Sequence, residues 1–422
     1  MKLIYCLTTL LLTSALFGQE GVAIISENDS NTEKFRVVWS DDPTTKATIS
    51  WNQKAGEPGV VHFGSEDFGR KHHLYPETEE VDRTFRYTET INNCFVHLED
   101  LKPDTRYFFC IKDDAGVSRR LSFKTASDQP DSFTFIAGGD SRNFRDVRIY
   151  ANQISAKLQP LFIAFTGDMI NKDTEVEWAE WFDDWQETID AAGNIIPIVP
   201  HRGNHEGRVD SIYNYFDTPE DAYFDLRIGG DLFHYFALNS EIPANGEQGE
   251  WLEKRLKKYR DEVIHLVAGY HKPMKPHVST KSEGDNPLLW ADIFYECGLD
   301  LAIESDSHVM KRTLPLKPEV GGVEGFSHSD KDKNATVYIG EGCWGAPLRA
   351  ADDGKPWTIA TDSFNGFDWI QVNRKEMQVK TVKVENPSKM EPLDPAHPFT
   401  APAGLEIWNP EGGKVLVIPG DR

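Results

Sequence analysis

The chain has 422 residues, of which 39% are hydrophobic and 27% charged, and its formal net charge at pH 7 is −23. This length exceeds that of one ordinary domain, and the apolar content excludes a globally disordered chain. The acidic charge argues against nucleic acid as a partner, because phosphate backbones are bound by basic surfaces. An anionic substrate would need a local positive centre, which bound metal cations would supply.

The first residues have the order of a secretory signal. Lys2 precedes an apolar stretch over residues 3–17, and small and polar residues follow at Gly18-Gln19. The stretch is too short for a membrane span, and no other apolar run in the sequence is long enough for one. We therefore predict a signal peptide over residues 1–19 and a secreted or periplasmic mature protein.

Residues 33–126 contain short strand candidates separated by turn residues, which predicts a β-sandwich. The segment from Leu101 to Tyr107, with a Leu-x-Pro-x-Thr-x-Tyr pattern, resembles part of a fibronectin type III-like domain. Tyr107 would there tie a loop to its own strand. This part of the chain has no evident ligand chemistry, and we interpret it as structural.

Four cysteines follow the predicted signal peptide, which is too few and too scattered for a disulfide framework. Cys94 and Cys110 fall in opposite phase within their strand candidates, so we expect them on opposite faces and not bonded to each other. Buried free thiols are the expectation for Cys94 and Cys297.

After Phe133 the pattern changes to apolar strands alternating with helical stretches, which is typical of βαβ units. The predicted helices cover residues 174–192, 248–259 and 287–297. The aromatic residues at helical spacing in the first helix, interpreted as a stripe that faces the core, are Trp178, Trp181, Phe182 and Trp185. A C-terminal extension over 386–422 contains two β-prone segments, 404–408 and 414–418, which predict a final strand pair.

Five apolar runs in this half stop at residues of the kind that bind metal ions. The runs are 133–139, 161–167, 195–200, 263–269 and 299–304. Open α/β sheets bind ligands at the carboxyl ends of their strands, so these residues are expected to converge. Asp, Asn and His side chains, with one carboxylate placed to bridge, are suited to a pair of hard cations.

The residues that follow the runs form five motifs. They are Gly139-Asp140-Ser141, Gly167-Asp168-Met169-Ile170-Asn171, Gly203-Asn204-His205-Glu206, His271-Lys272-Pro273 and Ser305-Asp306-Ser307-His308. Their order and spacing resemble those of the calcineurin-like metallophosphoesterases, and with the sandwich in front they resemble the purple acid phosphatase branch. The resemblance implies an α/β fold in which an N-terminal β-sandwich precedes a metallophosphoesterase β-sandwich flanked by helices (α/β/β/α), here predicted over 132–385.

The resemblance also implies a metal-binding role for each matching residue. Asp168 would bridge two metal ions. Asp140 and His308 would hold the first ion, and Asn204 and His271 would hold the second. The predicted cofactors are therefore two metal ions.

Other side chains are candidates for contact with the substrate. The resemblance places His205 beside the ions, donating to phosphate or protonating the leaving group, with Glu206 as support for its neighbours. Arg142 has a forked guanidinium that matches phosphate oxygens, which makes it the candidate phosphate clamp. Lys272 and His277 follow His271, and we consider both the mouth of the site and the open surface for them.

Two residues depart from the family pattern. Asn171 replaces a tyrosine, so no iron–tyrosinate bond is expected, and its carbonyl oxygen is a candidate metal ligand. Asp306 replaces the first histidine of the last motif. A carboxylate there is harder and negatively charged, which lowers the Lewis acidity of the metal and favours manganese, magnesium or calcium over zinc. Metal identity therefore stays open among manganese, iron, zinc, magnesium and calcium.

The leading functional prediction is a secreted, metal-dependent hydrolase of phosphate monoesters, acting by attack of a metal-bound hydroxide at a dinuclear centre. A phosphodiesterase with the same site is the nearest alternative. Asn171 and Asp306 motivate a second alternative, a non-catalytic secreted binding protein with a degenerate metal site. A weaker one is that the N-terminal sandwich binds carbohydrate. The sequence does not indicate the natural substrate or the oligomeric state.

Overall fold

The computed structural model describes residues 27–87, 90–282, 285–329 and 331–420. The predicted signal peptide at residues 1–19 lies outside these ranges. Within them, no helix is long and apolar enough to cross a membrane.

The N-terminal part consists of eight strands in two layers. They are β1 (Thr32–Val38), β2 (Ala47–Gln53), β3 (Val60–Gly64), β4 (Glu77–Glu79), β5 (Arg83–Arg86), β6 (Asn92–Leu98), β7 (Arg106–Lys112) and β8 (Leu121–Lys124). One layer has the order β1-β2-β6-β5 and the other the order β4-β3-β7-β8. We call these eight strands the N-terminal sandwich.

Apolar side chains from both layers meet inside the N-terminal sandwich. Trp51 and Val96 from one layer and Phe109 from the other are fully buried in a single core. The predicted tie at Tyr107 is present, since its hydroxyl accepts a hydrogen bond of 2.8 Å from the backbone N–H of Lys102. The four cysteines that the structure describes are buried and unbonded. This confirms the buried free thiols expected for Cys94 and Cys297, and Cys94 is not bonded to Cys110, as their phase predicts.

The rest of the described chain supplies fifteen strands and five α-helices. The strands are β9 (Ser132–Gly138), β10 (Ile163–Phe165), β11 (Ile198–Pro200), β12 (Phe224–Ile228), β13 (Phe233–Ala237), β14 (His265–Gly269), β15 (Leu301–Glu304), β16 (Met310–Thr313), β17 (Leu316–Val323), β18 (Phe326–His328), β19 (Val337–Gly340), β20 (Thr358–Asp362), β21 (Gly366–Asn373), β22 (Glu376–Lys383) and β23 (Leu416–Pro419). The helices are α1 (Arg145–Leu158), α2 (Glu175–Trp185), α3 (Ser211–Phe216), α4 (Glu247–Tyr259) and α5 (Asp285–Cys297). Short 3₁₀ turns lie at His72–Leu74, Gln186–Thr188 and Pro387–Lys389.

The N-terminal sandwich shares a sheet with the second half of the chain. Strand β1 pairs in parallel with β11 at Val38 and Ile198, which joins one layer of the sandwich into a ten-stranded sheet. The strand order of that sheet is β23-β22-β21-β9-β10-β11-β1-β2-β6-β5. The other layer is tied through Ser122, whose backbone N–H donates to the carbonyl of Gly193 at 2.8 Å. The two halves are therefore joined by backbone hydrogen bonds as well as by the connecting chain.

A seven-stranded sheet with the order β12-β13-β14-β15-β19-β16-β20 faces the ten-stranded one. One apolar core lies between the two sheets, a second lies under α1, α2 and α3, and a third lies under α4 and α5. Helices thus cover both outer faces, which is the predicted α/β/β/α arrangement. The aromatic stripe of α2 is buried in the second core, as predicted for a core-facing stripe.

Two predicted elements differ from the structure. The helix predicted over 174–192 ends at Trp185, where its last turn carries Asp183 and Asp184 and no basic residue. Carboxylates at that end oppose the helix dipole, which favours termination. The C-terminal segments do not pair with each other as predicted. Instead, β23 pairs with β22 and Ile407 bridges Val382, because the edge of β22 offers backbone partners to both.

Candidate metal centre

The carboxyl ends of parallel strands bring the predicted site residues together. Strands β9, β10 and β11 run parallel in one sheet, and β14 and β15 run parallel in the other. Six of the seven predicted ligands, all but Asn171, form what we call the strand-end cluster: Asp140, Asp168, Asn204, His271, Asp306 and His308. Residues more than 100 positions apart in the sequence therefore lie side by side.

Four members of the strand-end cluster have left-handed backbone conformations. The φ angles of Asp140 and Asp168 are both 56°, that of Asp306 is 69° and that of His308 is 59°. This region is sparsely populated by residues other than glycine and costs of the order of 1–3 kcal/mol for each residue. Such strain persists where the surrounding fold enforces it, which marks this edge as a candidate functional site.

The buried centre of the cluster has the composition of a metal site. Ligand atoms of Asp140, Asp168 and His271 all lie within 4.8 Å of one another, and the three residues are fully buried. Asp168 Oδ1 is 3.3 Å from His271 Nε2, and Asp140 Oδ1 is 3.1 Å from His308 Nε2. Each carboxylate thus faces an imidazole nitrogen.

The remaining cluster members gather around His271. Its Nε2 lies 3.2 Å from the side-chain oxygen of Asn204 and 3.7 Å from Asp306 Oδ1. The backbone N–H of Asp306 donates to Asp140 Oδ2 at 2.8 Å, which connects the two halves of the cluster.

Backbone carbonyls fix the orientation of both histidines. His271 Nδ1 is 2.9 Å from the carbonyl oxygen of Thr166, and His308 Nδ1 is 2.6 Å from that of Pro347. A carbonyl only accepts, so each Nδ1 carries a proton and donates it. The Nε2 atoms then face the carboxylates, which is how metal-binding histidines are commonly oriented.

Two carboxylate oxygens in this centre lack hydrogen-bond partners. They are Asp140 Oδ1 and Asp168 Oδ2, and they are the only buried carboxylate oxygens in that condition among the described residues. Each does have a nitrogen just over 3 Å away, from His308 and Arg142 respectively, but without the angles of a hydrogen bond. Buried polar groups are nearly always partnered, so these oxygens are suited to binding a cation, and the donor set fits hard metal ions.

The electrostatics of the centre also favour positive charge. Burial raises the pKa of Asp168, but the neighbouring His271 more than offsets this and holds the pKa below its ordinary value. Burial lowers the pKa of His271, while the charges of Asp168, Asp140 and Asp306 raise it well above its usual range. The carboxylate of Asp168 therefore stays ionised and attracts a cation.

Arg142 lies directly over the cluster. Its Nε is 3.2 Å from Asp168 Oδ2, its Nη2 is 3.0 Å from His308 Nε2, and its Nη1 donates to the side-chain oxygen of Asn171 at 3.2 Å. The guanidinium is therefore positioned between the centre and Asn171. The contacts of the Asn171 side chain are with Arg142, so its role as a metal ligand stays a prediction.

His205 occupies the rim of the site. Its backbone N–H donates to Asp168 Oδ1 at 2.9 Å, and its Nδ1 donates to the carbonyl oxygen of Asn171 at 2.7 Å. Its Nε2 lies 3.7 Å from Asp168 Oδ2, and its side chain is 26% exposed. The side chain that faces the centre is thus partly accessible to solvent.

Glu206 binds the backbone that carries two of the predicted ligands, Asp168 and Asn204. Its carboxylate accepts from the N–H groups of Met169 at 2.6 Å, Gly203 at 2.7 Å and Asp168 at 3.1 Å. Gly203 permits this close approach, since a Cβ there would lie 2.3 Å from Asp168 Oδ1. Burial, together with the charge of Asp168, raises the pKa of Glu206 to about 7. These contacts agree with the supporting role predicted for it.

Sequence reasoning missed a buried ionic network behind the cluster. Lys311 Nζ contacts Glu304 and lies 2.7 Å from Glu341 Oε1, which is 3.1 Å from His277 Nδ1. The carbonyl of Glu341 accepts from the backbone N–H of His308 at 2.8 Å, so the network holds the loop of this predicted ligand in place. The available signal was a charged residue in each of two short, buried strands, Glu304 in β15 and Lys311 in β16.

The structure corrects one of the two predictions for the mouth of the site. His277 is fully buried in the ionic network, so it lies neither at the mouth nor on the surface. Lys272 is partly exposed and pairs with Glu241 at 2.8 Å.

Two family models match the sequence. The model described as the purple acid phosphatase N-terminal domain matches residues 32–125, and the calcineurin-like phosphoesterase model matches residues 133–310. The second match contains every residue of the strand-end cluster. A search of curated proteins finds no match.

Solved structures share the fold at low sequence identity. Purple acid phosphatase PPD1 from yellow lupin (Lupinus luteus) seeds superposes with a TM-score of 0.68 and 16% identity, covering 85% of this chain and 73% of that one. A structure of PhoD superposes with a TM-score of 0.63 and 12% identity, covering 90% of each chain. The chain therefore carries a calcineurin-like phosphoesterase domain behind a purple acid phosphatase N-terminal domain, and this combination supports a metal-dependent phosphoester hydrolase.

Proposed function

We propose that this protein is an exported phosphatase that hydrolyses phosphate monoesters at a centre of two metal ions. The observation that carries the proposal is the pair of unpartnered buried carboxylate oxygens, on Asp140 and Asp168, beside the guanidinium of Arg142. Carboxylates that attract cations and an arginine that matches phosphate meet there at one point.

The contacts of Asp168 support a bridging role. Its Oδ1 faces His271, while its Oδ2 faces away toward Arg142 and His205. One carboxylate therefore presents oxygens in two directions. Asp140 with His308 would hold an ion on one side.

On the other side of Asp168, the side chains of three residues meet at one point. Asn204 and Asp306 both approach His271 Nε2, which supports these three as ligands of the second ion. Asn171 is the additional candidate on the side of Arg142. When bound, the two ions supply Lewis acidity and activation of water for attack on phosphorus.

The protein's own residues would bind and protonate the substrate. Arg142 approaches Asp168 and His308, both proposed ligands, and its forked guanidinium would bind phosphate oxygens beside them. His205 donates from Nδ1 to the Asn171 carbonyl, which leaves Nε2 as the atom able to deliver a proton to the leaving oxygen.

A small cavity next to Arg142 favours compact monoesters. Its volume is about 220 Å³, below the range of about 300–1,000 Å³ that is usual for ligand pockets. Arg145, Asn171, Glu177 and Glu180 are among its polar lining residues. A leaving alcohol with hydroxyl groups fits such a lining better than a bulky second ester group.

The alternatives make different demands on the same site. A phosphodiesterase would need room for a second ester substituent, which the small cavity disfavours. A degenerate binding protein would not need His205, Arg142 and the strand-end cluster all directed to one point. Carbohydrate binding by the N-terminal sandwich has no specific observation in its favour.

Hydrolysis of a chromogenic phosphomonoester and of its diester counterpart tests the proposal. Metal-stripped protein is refilled in turn with manganese, iron, zinc, magnesium or calcium. We expect strong monoester turnover with at least one ion and much weaker diester turnover. Faster diester turnover would identify a phosphodiesterase, and silence with every ion in folded protein would favour the non-catalytic alternative.

Export is proposed from the charge-then-apolar order of the first residues. Amino-terminal sequencing of the protein recovered outside the cytoplasm is expected to begin after residue 19. Recovery of cell-associated protein that still begins at Met1 would contradict export.

A further inference from the structure

A lysine contacts the carboxylate that departs from the family pattern. Lys281 Nζ lies 2.5 Å from Asp306 Oδ2, and the two side chains are 23% and 9% exposed. The other oxygen of the same carboxylate, Oδ1, faces His271 Nε2 at 3.7 Å. Asp306 thus presents one oxygen to the proposed ion and the other to an ammonium group.

The loop that carries Lys281 is anchored. The backbone N–H and the hydroxyl of Ser279 each donate to Asp352 at 2.8 Å, and the N–H of Lys281 donates to the carbonyl of Val278 at 3.0 Å. Earlier in the loop, the backbone N–H of His277 donates to Glu341 at 3.1 Å. Hydrogen bonds therefore fix the segment that places the ammonium group of Lys281 against Asp306.

The contact between Lys281 and Asp306 changes the charge around the proposed ions. Asp140, Asp168 and Asp306 bring three carboxylates into one largely buried space. Every additional anionic ligand binds a cation more tightly but leaves it less able to polarise a substrate oxygen. An ammonium group on the outer oxygen of Asp306 cancels that added charge and leaves the inner oxygen available.

We propose that Lys281 is a positioning residue that neutralises Asp306, so that the pair acts on the proposed metal centre as one uncharged ligand. The inference rests on the proposed two-ion site. Partners of metal ligands commonly set ligand orientation and metal affinity in this way. In the competing role, the ammonium group of Lys281 would leave Asp306 and bind the phosphate of the substrate.

Isothermal titration calorimetry with Mn²⁺ or Zn²⁺ on metal-stripped protein tests the charge balance without substrate. We expect Lys281→Met to bind each ion roughly ten- to hundredfold more tightly, because a nearby positive charge is removed. Lys281→Arg keeps the charge and should bind like the wild type. Unchanged or weaker binding by Lys281→Met would overturn the proposal.

A double substitution gives the matched control. Asp306→Asn alone should weaken binding, because it leaves Lys281 without its partner. Asp306→Asn combined with Lys281→Met is again uncharged and should return affinity to within several-fold of the wild type. A double variant that still binds as weakly as Asp306→Asn alone would contradict charge compensation. Thermal unfolding without metal checks folding, and Lys281→Gln is measured alongside in case the methionine variant fails to fold.

Steady-state kinetics separate the two roles of the lysine. Neutralisation predicts that Lys281→Met lowers kcat while KM changes little, whereas a phosphate contact predicts a raised KM with unchanged metal affinity, which would overturn the inference. If the wild type hydrolyses no ester but the calorimetric pattern holds, the proposed function fails and the role of Lys281 stands.

Discussion

The N-terminal sandwich and the strand-end cluster are both buried parts of β-sheet layers, yet they differ in which buried polar atoms lack hydrogen-bond partners. In the N-terminal sandwich, the backbone N–H of Lys102 donates a hydrogen bond to the hydroxyl of Tyr107. The buried side-chain atoms without hydrogen-bond partners there belong to neutral groups or to an arginine. In the strand-end cluster, the unpartnered atoms are carboxylate oxygens on residues with left-handed backbone.

This difference distinguishes polar groups that are buried for stability from polar groups that are buried at a binding site. An unpartnered carboxylate oxygen and a strained backbone each cost stability, so their coincidence at one sheet edge indicates a site kept for binding. The N-terminal sandwich has no comparable cluster among its described residues. Its parallel pairing of β1 with β11 makes it a physical extension of the sheet that carries the site.

The largest expected effect is the loss of Asp168. Asp168→Ala should abolish binding of both ions and lower turnover roughly thousandfold or more, since metal ions contribute several kcal/mol to the transition state. Metal analysis and the phosphomonoester assay measure both effects. Asp114→Ala, exposed on the N-terminal sandwich, is the matched control. Activity that survives in Asp168→Ala would refute the two-ion centre.

His205 should affect chemistry without affecting metal binding. We expect His205→Ala to retain its ions and to slow turnover about 10²–10⁴-fold, the usual contribution of a general acid. Metal content and kcat are compared with those of His73→Ala, an exposed histidine of the N-terminal sandwich. A variant that loses its ions together with activity would show that His205 is a ligand or holds one.

A buried carboxyl on β21 should make stability depend on pH. Burial raises the pKa of Asp368 to about 6, although a hydrogen bond from Thr381 and the charge of Arg312 lower it. The folded-state pKa of Asp368 exceeds the unfolded-state pKa of about 3.9. The contribution of this carboxyl to the free energy of unfolding is therefore fully present below pH 4 and is lost as the pH rises through 6.

Asp368→Asn should remove that dependence. Relative to the wild type, its free energy of unfolding should rise from pH 4 to pH 7 by up to about 3 kcal/mol. Urea unfolding at pH 4, 5, 6 and 7 measures the difference, in which groups common to both proteins cancel. A difference that does not vary with pH would mean that the folded-state pKa is ordinary.

The smallest effect is expected in the N-terminal sandwich. Tyr107→Phe removes one hydrogen bond and should lower the free energy of unfolding by about 1 kcal/mol, with kcat and metal content unchanged. Urea unfolding compares it with Tyr150→Phe, a partly exposed tyrosine on α1. A loss of activity in Tyr107→Phe would instead show that the N-terminal sandwich shapes the site.

Much of the candidate site was predictable because its signals are local. Apolar runs that stop at Asp140, Asp168 and His271 specify both a buried strand and the ligand type at its end. The rule that ligands gather at the carboxyl ends of strands then indicates convergence. The tie at Tyr107 was predictable for the same reason, since its partner Lys102 is only five residues away.

Other features depend on contacts between distant residues, which no local pattern specifies. The pairing of Lys281 with Asp306, the burial of His277 against Glu341, and the parallel junction of β1 with β11 belong to this group. The C-terminal segments were mispredicted for this reason, because the open edge of β22 was a better partner than either segment was for the other.

The sequence by itself therefore determined which candidate ligands end the strands, the sandwich that precedes them and the likeness to metallophosphoesterases. Strand periodicity and ligand chemistry are encoded over a few neighbouring residues. Only the tertiary structure decided how charge is balanced around those ligands. The energy of an ion pair depends on distance and burial, and both are set by packing of segments that are remote in the chain.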